Sequence, residues 1–581
     1  MAVFRLLVLA FSLSVFACPH AYSDDSTNDE GEVSETEPAL TPDSVLAELT
    51  LDQKIGQLFF LGFKGQKYTS DVREALQAVR PGGVVVFRKN IKSAEQISML
   101  NHSAQTDFID NNGVPLFIAI DQEGGVVTRI KSKPPLPSAL ALGQTNSRDI
   151  VGRMGFYTGT LMRALGFNMN LAPVLDVADP NKPSFIGTRS FSGDPETVGK
   201  MAFAFAQGLQ MAGVVSTLKH YPGHGGPAAD SHKEVPVMHD DMKTLLSTHL
   251  KPFTYLNSNL ETPAIMVAHV LYPKIDREPA TYSKVLVEEV LRKKLGFDGL
   301  AITDDIDMEG AKKIKDPGEQ AIRAIEAGVD MIMVAWHKTS QQKAFNAVKA
   351  AVKSGRIKVA RIDASVKRIL DVKLRYGLFN KPPTPSMKTI NMIFADPSFK
   401  RAADQVMATN IERSFQNIRV ERPLDDGFKV NIFAQSPKFY QSFVQYAQDG
   451  CCRYVRFNEK TIARINGRST DLNVIYISGA KSLNLANAIP AKYAKRVLLV
   501  NTGIPGSIKQ PDRFLGVVNI YSPNAAAGEL VAKYLYSAEE QEPELRDPAS
   551  NEGDEAPEDS ASVSKNLLKL GNSNGQSART N

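Results

Sequence analysis

The chain has only three cysteines in 581 residues. Cys18 lies in the apolar N-terminal run, and Cys451 and Cys452 are adjacent. Adjacent cysteines make a strained bridge at best, so no disulfide framework holds this fold and its stability must come from a core. An excess of one charge is missing too. Formal net charge is +5, from 68 Lys and Arg against 63 Asp and Glu, and the basic residues are scattered among acidic ones rather than gathered in a stripe, which argues against nucleic acid as a partner. After the first residues, no apolar run is long enough to cross a bilayer. What is present is an ordinary globular composition, 43% hydrophobic, in a chain too long for one compact core. Two domains with appendages are expected.

Residues 1–23 open with M-A-V-F-R-L-L-V-L-A-F-S-L-S-V-F-A-C. One basic residue followed by a short apolar run is the pattern of a signal peptide, which predicts an exported protein, periplasmic or extracellular. Ala21 and Ser23 meet the small-x-small rule for cleavage after residue 23, whereas V-F-A-C resembles a lipoprotein cleavage site. Lipidation at Cys18 would be the one route to a membrane, although Phe16 and Pro19 suit that pattern poorly. Residues 24–43 are acidic and nearly free of large apolar groups, so burial cannot offset the entropy of ordering them. They are expected to be a disordered linker, and residues 539–581, which carry E-E-Q-E-P-E-L-R-D-P, a disordered tail.

Between these ends, β-type apolar runs alternate with helical patterns, at 58–63, 84–87, 116–120, 170–175, 214–218, 264–268, 300–303 and 331–335. Apolar strands separated by helices belong in a parallel sheet covered on its outside, and eight of them over roughly 300 residues predict a (β/α)8 TIM-like barrel. Its expected bounds are 44–385, closing with a helix that stops at Gly377 and the Pro-rich break N-K-P-P-T-P. Runs at 430–434, 473–478, 496–502 and 514–521 predict a smaller α/β sandwich-type domain over 386–538.

Polar residues recur where the apolar runs end: Asp121, Asp176, Lys219 with His220, His269, and Asp304. One such residue is commonly a cap or turn former, but in a barrel these five strand ends meet at the C-terminal rim, where sites of this fold are built. The stretch K-H-Y-P-G-H-G-G-P-A-A-D-S-H, residues 219–232, adds His224, Asp230 and His232. By itself it reads as a metal site, a catalytic loop or a polar turn. In an extended segment residues i and i+2 share a side, so the Asp230 carboxylate can reach and orient the His232 ring.

L-T-L-D-Q-K-I-G-Q-L-F (49–59), D-Q-E-G-G-V-V-T-R (121–129), G-T-R-S-F (187–191), K-H-Y-P-G-H-G with D-S-H, and T-D-D-I-D-M-E-G (303–310) resemble the motifs of the β-N-acetylglucosaminidases of glycoside hydrolase family 3. The resemblance implies a retaining exo-acting enzyme that removes terminal β-linked GlcNAc from peptidoglycan fragments or chitooligosaccharides. It implies Asp304 as nucleophile, and His232 held by Asp230 as acid/base in place of the second carboxyl that most retaining glycosidases use. Asp121, Arg129, Arg189, Lys219 and His220 would grip the sugar, with no metal and no cofactor. Asp176, His224, His269, Asp305 and Glu309 read as supporting or capping residues, and Gly223, Gly225, Gly226 and Pro227 as a loop that moves the acid/base. Three alternatives stay open. A neutral His repels incoming phosphate less than Glu would, which allows phosphorolysis; specificity could be β-glucosidase-like; and His220, His224, Asp230 and His232 are competent metal ligands. Oligomeric state is not legible.

Overall fold

The computed structural model describes residues 40–226 and 235–416, and continues to 536 with gaps at 417, 419–423, 425–428, 448–449, 463 and 466–470. The signal peptide, residues 24–39 of the acidic linker and the tail from 539 lie outside the described residues, as do Pro227, Asp230 and His232. Among the described residues no helix is long and apolar enough to cross a membrane.

The eight strands expected for the barrel all form and make one eight-stranded sheet. They are β1 Phe59–Gly62, β2 Gly83–Val86, β3 Phe117–Ile120, β4 Met169–Asn170, β5 Val215–Tyr221, β6 Ala264–Val267, β7 Leu300–Thr303 and β8 Ile332–Val334. From β1 to β7 each pairs in parallel with the next, and β1 also pairs with β8 through Phe59 and Ile332. Backbone bonds from Thr303 N–H to Met331 O (2.9 Å) and from Asp330 N–H to Ala301 O (2.8 Å) close the ring between β7 and β8. Strand residues such as Phe60, Ile118, Leu218, Val267 and Ile302 are fully buried, as side chains that fill a barrel or face its helices must be.

Two strand ends are displaced from expectation for local reasons. β4 stops at Asn170, because Pro173 just beyond has no N–H for a ladder, and contact with β5 resumes only at a Val174–Lys219 bridge. β5 runs on past the apolar run through Lys219, His220 and Tyr221, so the polar pair stands at the end of the strand itself.

The outer helices are bounded by their sequences. Thr50 and Gln53 form a reciprocal cap on helix Leu51–Gln57, and Asp316, Pro317 and Gly328 start and stop helix Pro317–Ala327, as the chemistry of helix ends requires. At the bottom of the barrel, Lys373 from helix Val359–Arg375 is wholly buried. Its Nζ donates to Gln57 Oε1 at 2.7 Å and lies 5.0 Å from the Phe117 ring centroid. Burial drives its pKa well below that of an ordinary lysine.

The second domain is a parallel sheet of β9 Lys429–Ala434, β10 Cys452–Arg456, β11 Asp471–Ile477, β12 Val497–Asn501 and β13 Gly516–Asn519, in the order β10-β9-β11-β12-β13. Val430, Ile432 and Val474 face one apolar cluster, Phe433, Ile475 and Leu499 another, so both faces of the sheet are covered. β10 was not among the expected strands. It is an edge strand with Arg453 and Arg456 turned out, and it begins at Cys452, which is joined to Cys451 as a vicinal disulfide.

The two domains share a helix. In Pro397–Phe415 the residues Phe399, Ala402, Ala403 and Val406 join the barrel core, whereas Met407, Ile411 and Phe415 join the core of the second domain. The Phe399 ring stacks on Tyr157 with centroids 3.6 Å apart. Ser138 adds a polar tie: its N–H donates to Ser522 Oγ and its Oγ to Tyr521 O, both at 2.7 Å.

Candidate active site

Three neighbouring strand ends lay alternating charges across the C-terminal mouth of the barrel. Asp121 directly follows β3, and the chain then folds into a short antiparallel hairpin, Gln122–Gly124 against Val127–Thr128. At its turn Gly125 has φ 55°, and a Cβ there would lie 2.6 Å from that of Ser138. Residues two apart in an extended segment share a face, so Asp121 and Glu123 both meet Lys219 of β5. Lys219 Nζ is 2.8 Å from Asp121 Oδ1 and 2.6 Å from Glu123 Oε1. Glu123 also receives a two-pronged pair from Arg189, Nε to Oε2 at 2.8 Å and Nη2 to Oε1 at 2.9 Å. Arg189 Nη2 then stands 3.3 Å from His220 Nε2, and His220 Nδ1 lies 2.6 Å from Asp176 Oδ2. A carboxylate at Nδ1 places the ring proton there and leaves Nε2 to accept from Arg189. Asp176 Oδ1 accepts the His224 N–H at 2.6 Å. Arg129, at the end of the hairpin, reaches Asp121 Oδ2 at a looser 3.4 Å.

Burial sets the cost of these charges and pairing offsets it. Lys219 is 2% exposed; burial would lower its pKa, but Asp121 and Glu123 raise it above the ordinary value. Burial likewise pushes Glu123 up, and Arg189 and Lys219 together hold it far below the usual carboxylate range. The network is therefore a fixed ion lattice.

Asp304 directly follows β7. Its N–H donates to Val267 O of β6 at 3.0 Å, and its Oδ1 accepts the Asp305 N–H at 2.8 Å. Burial raises its pKa, yet His220, His269, the Asp305 amide and Lys219 outweigh that and hold it below the ordinary value. It is an anion at neutral pH. Asp305 turns the opposite way: Oδ1 accepts N–H groups of Asp307 (3.1 Å) and Ala335 (3.0 Å), while Oδ2 has no partner among the described residues. Burial lifts its pKa to about 7. Adjacent carboxyls are thus divided into an anion at the mouth and a buried acid that ties β7 to β8.

Asp304 and the five predicted sugar-gripping residues converge on one mouth. Asp176 and His269 support it, His269 through Thr281 Oγ1 (2.8 Å) and Asp305 O (3.1 Å). Glu309 does not belong to it: it is exposed and paired with Lys312. The predicted dyad of Asp230 and His232 lies outside the described residues. The loop leading to it differs from expectation, because residues Tyr221–Gly225 are buried and closely packed. A Cβ on Gly225 would lie 2.0 Å from Val177 O, and one on Gly223 2.7 Å from the His249 Cβ; Tyr272 OH donates to Gly223 O at 2.8 Å. These glycines serve close approach, not freedom to swing. The His224 ring is buried beside Phe185 with neither nitrogen partnered among the described residues, and burial lowers its pKa to about 4. Among the described residues no three His, Cys, Asp or Glu side chains converge to hold a metal ion.

Residues 50–372 match the model of the glycosyl hydrolase family 3 N-terminal domain. The chain belongs to glycosyl hydrolase family 3. Among its relatives, the β-hexosaminidase of Bordetella avium is 36% identical over 278 residues, 46% of this chain and 78% of that one. The β-hexosaminidase of Pseudomonas aeruginosa strain PAO1 is 34% identical over 290 residues, 50% of this chain and 85% of that one. A solved family 3 β-N-acetylglucosaminidase from Paenibacillus sp. str. FPU-7 superposes with a TM-score of 0.72 at 28% identity, covering 84% of this chain and 97% of its own, a span that takes in the second domain. The resemblance read from the motifs therefore holds. The protein is a family 3 glycoside hydrolase, an enzyme that acts on carbohydrate, with the barrel and α/β domain of that group.

Sequence reasoning missed one member of the site. Glu123 bonds both Lys219 and Arg189, yet it had no role of its own within D-Q-E-G-G. The signal was there in its spacing, two residues from Asp121 in an extended segment.

Proposed function

We propose that this family 3 enzyme is a retaining exo-β-N-acetylglucosaminidase that removes terminal β-linked GlcNAc from peptidoglycan fragments or chitooligosaccharides. The observation that carries the reading is Asp304: a carboxylate fixed at a strand end by two backbone bonds, ionised by its surroundings, and opposite the Asp121–Lys219–Glu123–Arg189–His220 lattice. Asp121, Lys219, Arg189, Arg129 and His220 bind the hydroxyls of the terminal sugar through charge-assisted bonds. Rigid backbone holds the Asp304 carboxylate under the anomeric carbon, where it forms an ester as the glycosidic bond breaks. His232, oriented by Asp230, gives its proton to the leaving oxygen. It then takes one from the water that hydrolyses the ester, so the proton count closes. The N-terminal motif supports export of the chain.

The decisive experiment is incubation with 5-fluoro-N-acetylglucosaminyl fluoride followed by peptide mass mapping. A sugar ester on the peptide containing Asp304 is expected. No adduct, together with near wild-type turnover by Asp304→Asn, would overturn the mechanism. Release of free GlcNAc rather than GlcNAc-1-phosphate in phosphate buffer separates hydrolysis from phosphorolysis.

A further inference from the structure

Five of the eight strand ends, β3 to β7, supply the groups described so far. The other three, β8, β1 and β2, are consecutive around the barrel, and they carry different chemistry. Trp336, the single tryptophan of the chain, comes two residues after β8 and is 42% exposed. Its ring stacks on Phe87, the first residue after β2, with centroids 4.4 Å apart and planes 29° from parallel. Lys89 Nζ lies 4.0 Å from the Trp336 ring centroid and 5.4 Å from that of Phe87. Lys64, two residues after β1, is exposed as well. Asn90 Nδ2, next to Lys89, donates to Phe63 O at 3.1 Å and Gly65 O at 2.8 Å, the residues on either side of Lys64, so the two loops and their cations lie side by side; partial burial and the Lys64 ammonium both lower the Lys89 pKa. Among the described residues neither is paired with a carboxylate.

This patch is fastened to the catalytic side of the mouth. Asp307 Oδ2 accepts the N–H groups of Trp336 and His337, each at 3.1 Å. Ala335 N–H donates to Asp305 Oδ1 at 3.0 Å. Both carboxyls lie within three residues of Asp304, so the Trp336 backbone is placed by the same turn that carries the nucleophile.

An exposed tryptophan beside unpaired ammonium groups suits a ligand with an apolar face and an acid group. The C–H face of a pyranose packs against aromatic rings, and a carboxylate on the same sugar would meet the cations that the protein itself leaves unpaired. In an exo-acting enzyme the sugar being removed fills the centre of the mouth, and the leaving sugar extends toward the rim. We propose that Trp336 and Phe87, with Lys89 and Lys64, form the subsite for the leaving sugar, and that this subsite favours a pyranose bearing a carboxylate over a neutral one. The inference rests on the glycosidase reading above and chooses between its two substrate classes: a leaving MurNAc whose lactyl group bears no peptide carries such a carboxylate, and a leaving GlcNAc does not.

The test measures kcat/KM for GlcNAc-β-1,4-MurNAc, chitobiose and β-N-acetylglucosaminyl fluoride, whose leaving group is too small to occupy the subsite. Each disaccharide is expressed as a ratio to the fluoride. Trp336→Ala is expected to lower both ratios about tenfold, the scale of one lost aromatic contact. Lys89→Gln is expected to lower only the GlcNAc-MurNAc ratio, about fivefold, with the difference shrinking as salt is raised. Ratios unchanged in Trp336→Ala would remove the subsite, and equal losses for both disaccharides in Lys89→Gln would remove its preference for an acid. A wild-type enzyme that turns over none of the three would overturn the glycosidase reading instead, so the two failures are distinguishable.

Discussion

Replacing Glu123 by Gln keeps the shape of the side chain and removes its charge, which makes it a direct probe of the ion lattice. Lys219 would retain Asp121 at 2.8 Å, but Arg189 would lose the two-pronged, charged partner and keep at most one amide oxygen beside His220 Nε2 at 3.3 Å. The new amide N–H would also point at a guanidinium or an ammonium, donor against donor. Breaking one side of a buried ion pair costs about 3–5 kcal/mol, and at roughly 2 °C per kcal/mol for a domain of this size the melting temperature should fall by roughly 6–10 °C. Catalysis should suffer separately, because a displaced Arg189 no longer presents its donors to the sugar; a loss of at least about tenfold in kcat/KM corresponds to 1.4 kcal/mol. The assays are thermal melts and hydrolysis of p-nitrophenyl-GlcNAc for Glu123→Gln, Arg189→Met and the double variant. Contacting partners in one network should couple by about 0.5–3 kcal/mol. Strictly additive losses, or a single variant as stable and active as wild type, would refute the lattice.

Asp304→Asn should lower kcat by on the order of 10³ or more while leaving the melting temperature near wild type, as followed by p-nitrophenyl-GlcNAc hydrolysis; retained turnover would remove the nucleophile. Asp305, with its folded pKa raised to about 7, binds a proton in the fold that the unfolded chain releases near pH 3.9, so it subtracts stability as pH rises from about 4 to 7. Asp305→Asn should flatten melting temperature against pH in that window, and an unchanged slope would contradict the assignment. Lys373, whose pKa burial lowers, is charged more readily in the unfolded chain, so stability should rise with pH on the way up to the unfolded value of about 10. Lys373→Met should abolish that rise, and parallel curves for the two proteins would show that the amine is not desolvated as described.

Much of the barrel was legible because its strands are buried on both faces and so appear as unbroken apolar runs. β10 escaped because an edge strand with two exposed arginines breaks such a run. Strand-end polar residues and motif spacing located Asp121, Arg129, Arg189, Lys219, His220 and Asp304. Glu123 was harder, since its partners lie 66 and 96 residues further on and only the hairpin reveals which way it faces. Trp336, Phe87, Lys89 and Lys64 come from three strand ends distant in sequence, and nothing short of barrel closure brings them together. The glycines of the 219–232 stretch illustrate a different limit: composition shows that a Cβ is absent but not whether the reason is motion or contact, and at Gly223 and Gly225 it is contact.

The helix Pro397–Phe415 has a consequence for how the chain could be divided. The exposed stretch 381–386 looks like a seam, yet the residues after it include Ile390, Ile393, Phe399 and Val406 of the barrel core. A chain cut there would not fall into two self-sufficient domains. The N-terminal piece would expose an apolar groove, the C-terminal piece would carry the helices that fill it, and Ser138 would lose Tyr521 and Ser522 beside the hairpin that holds Asp121 and Glu123. Co-expressed fragments ending and beginning in this stretch should therefore complement one another, recovering activity as a non-covalent complex that neither fragment shows alone.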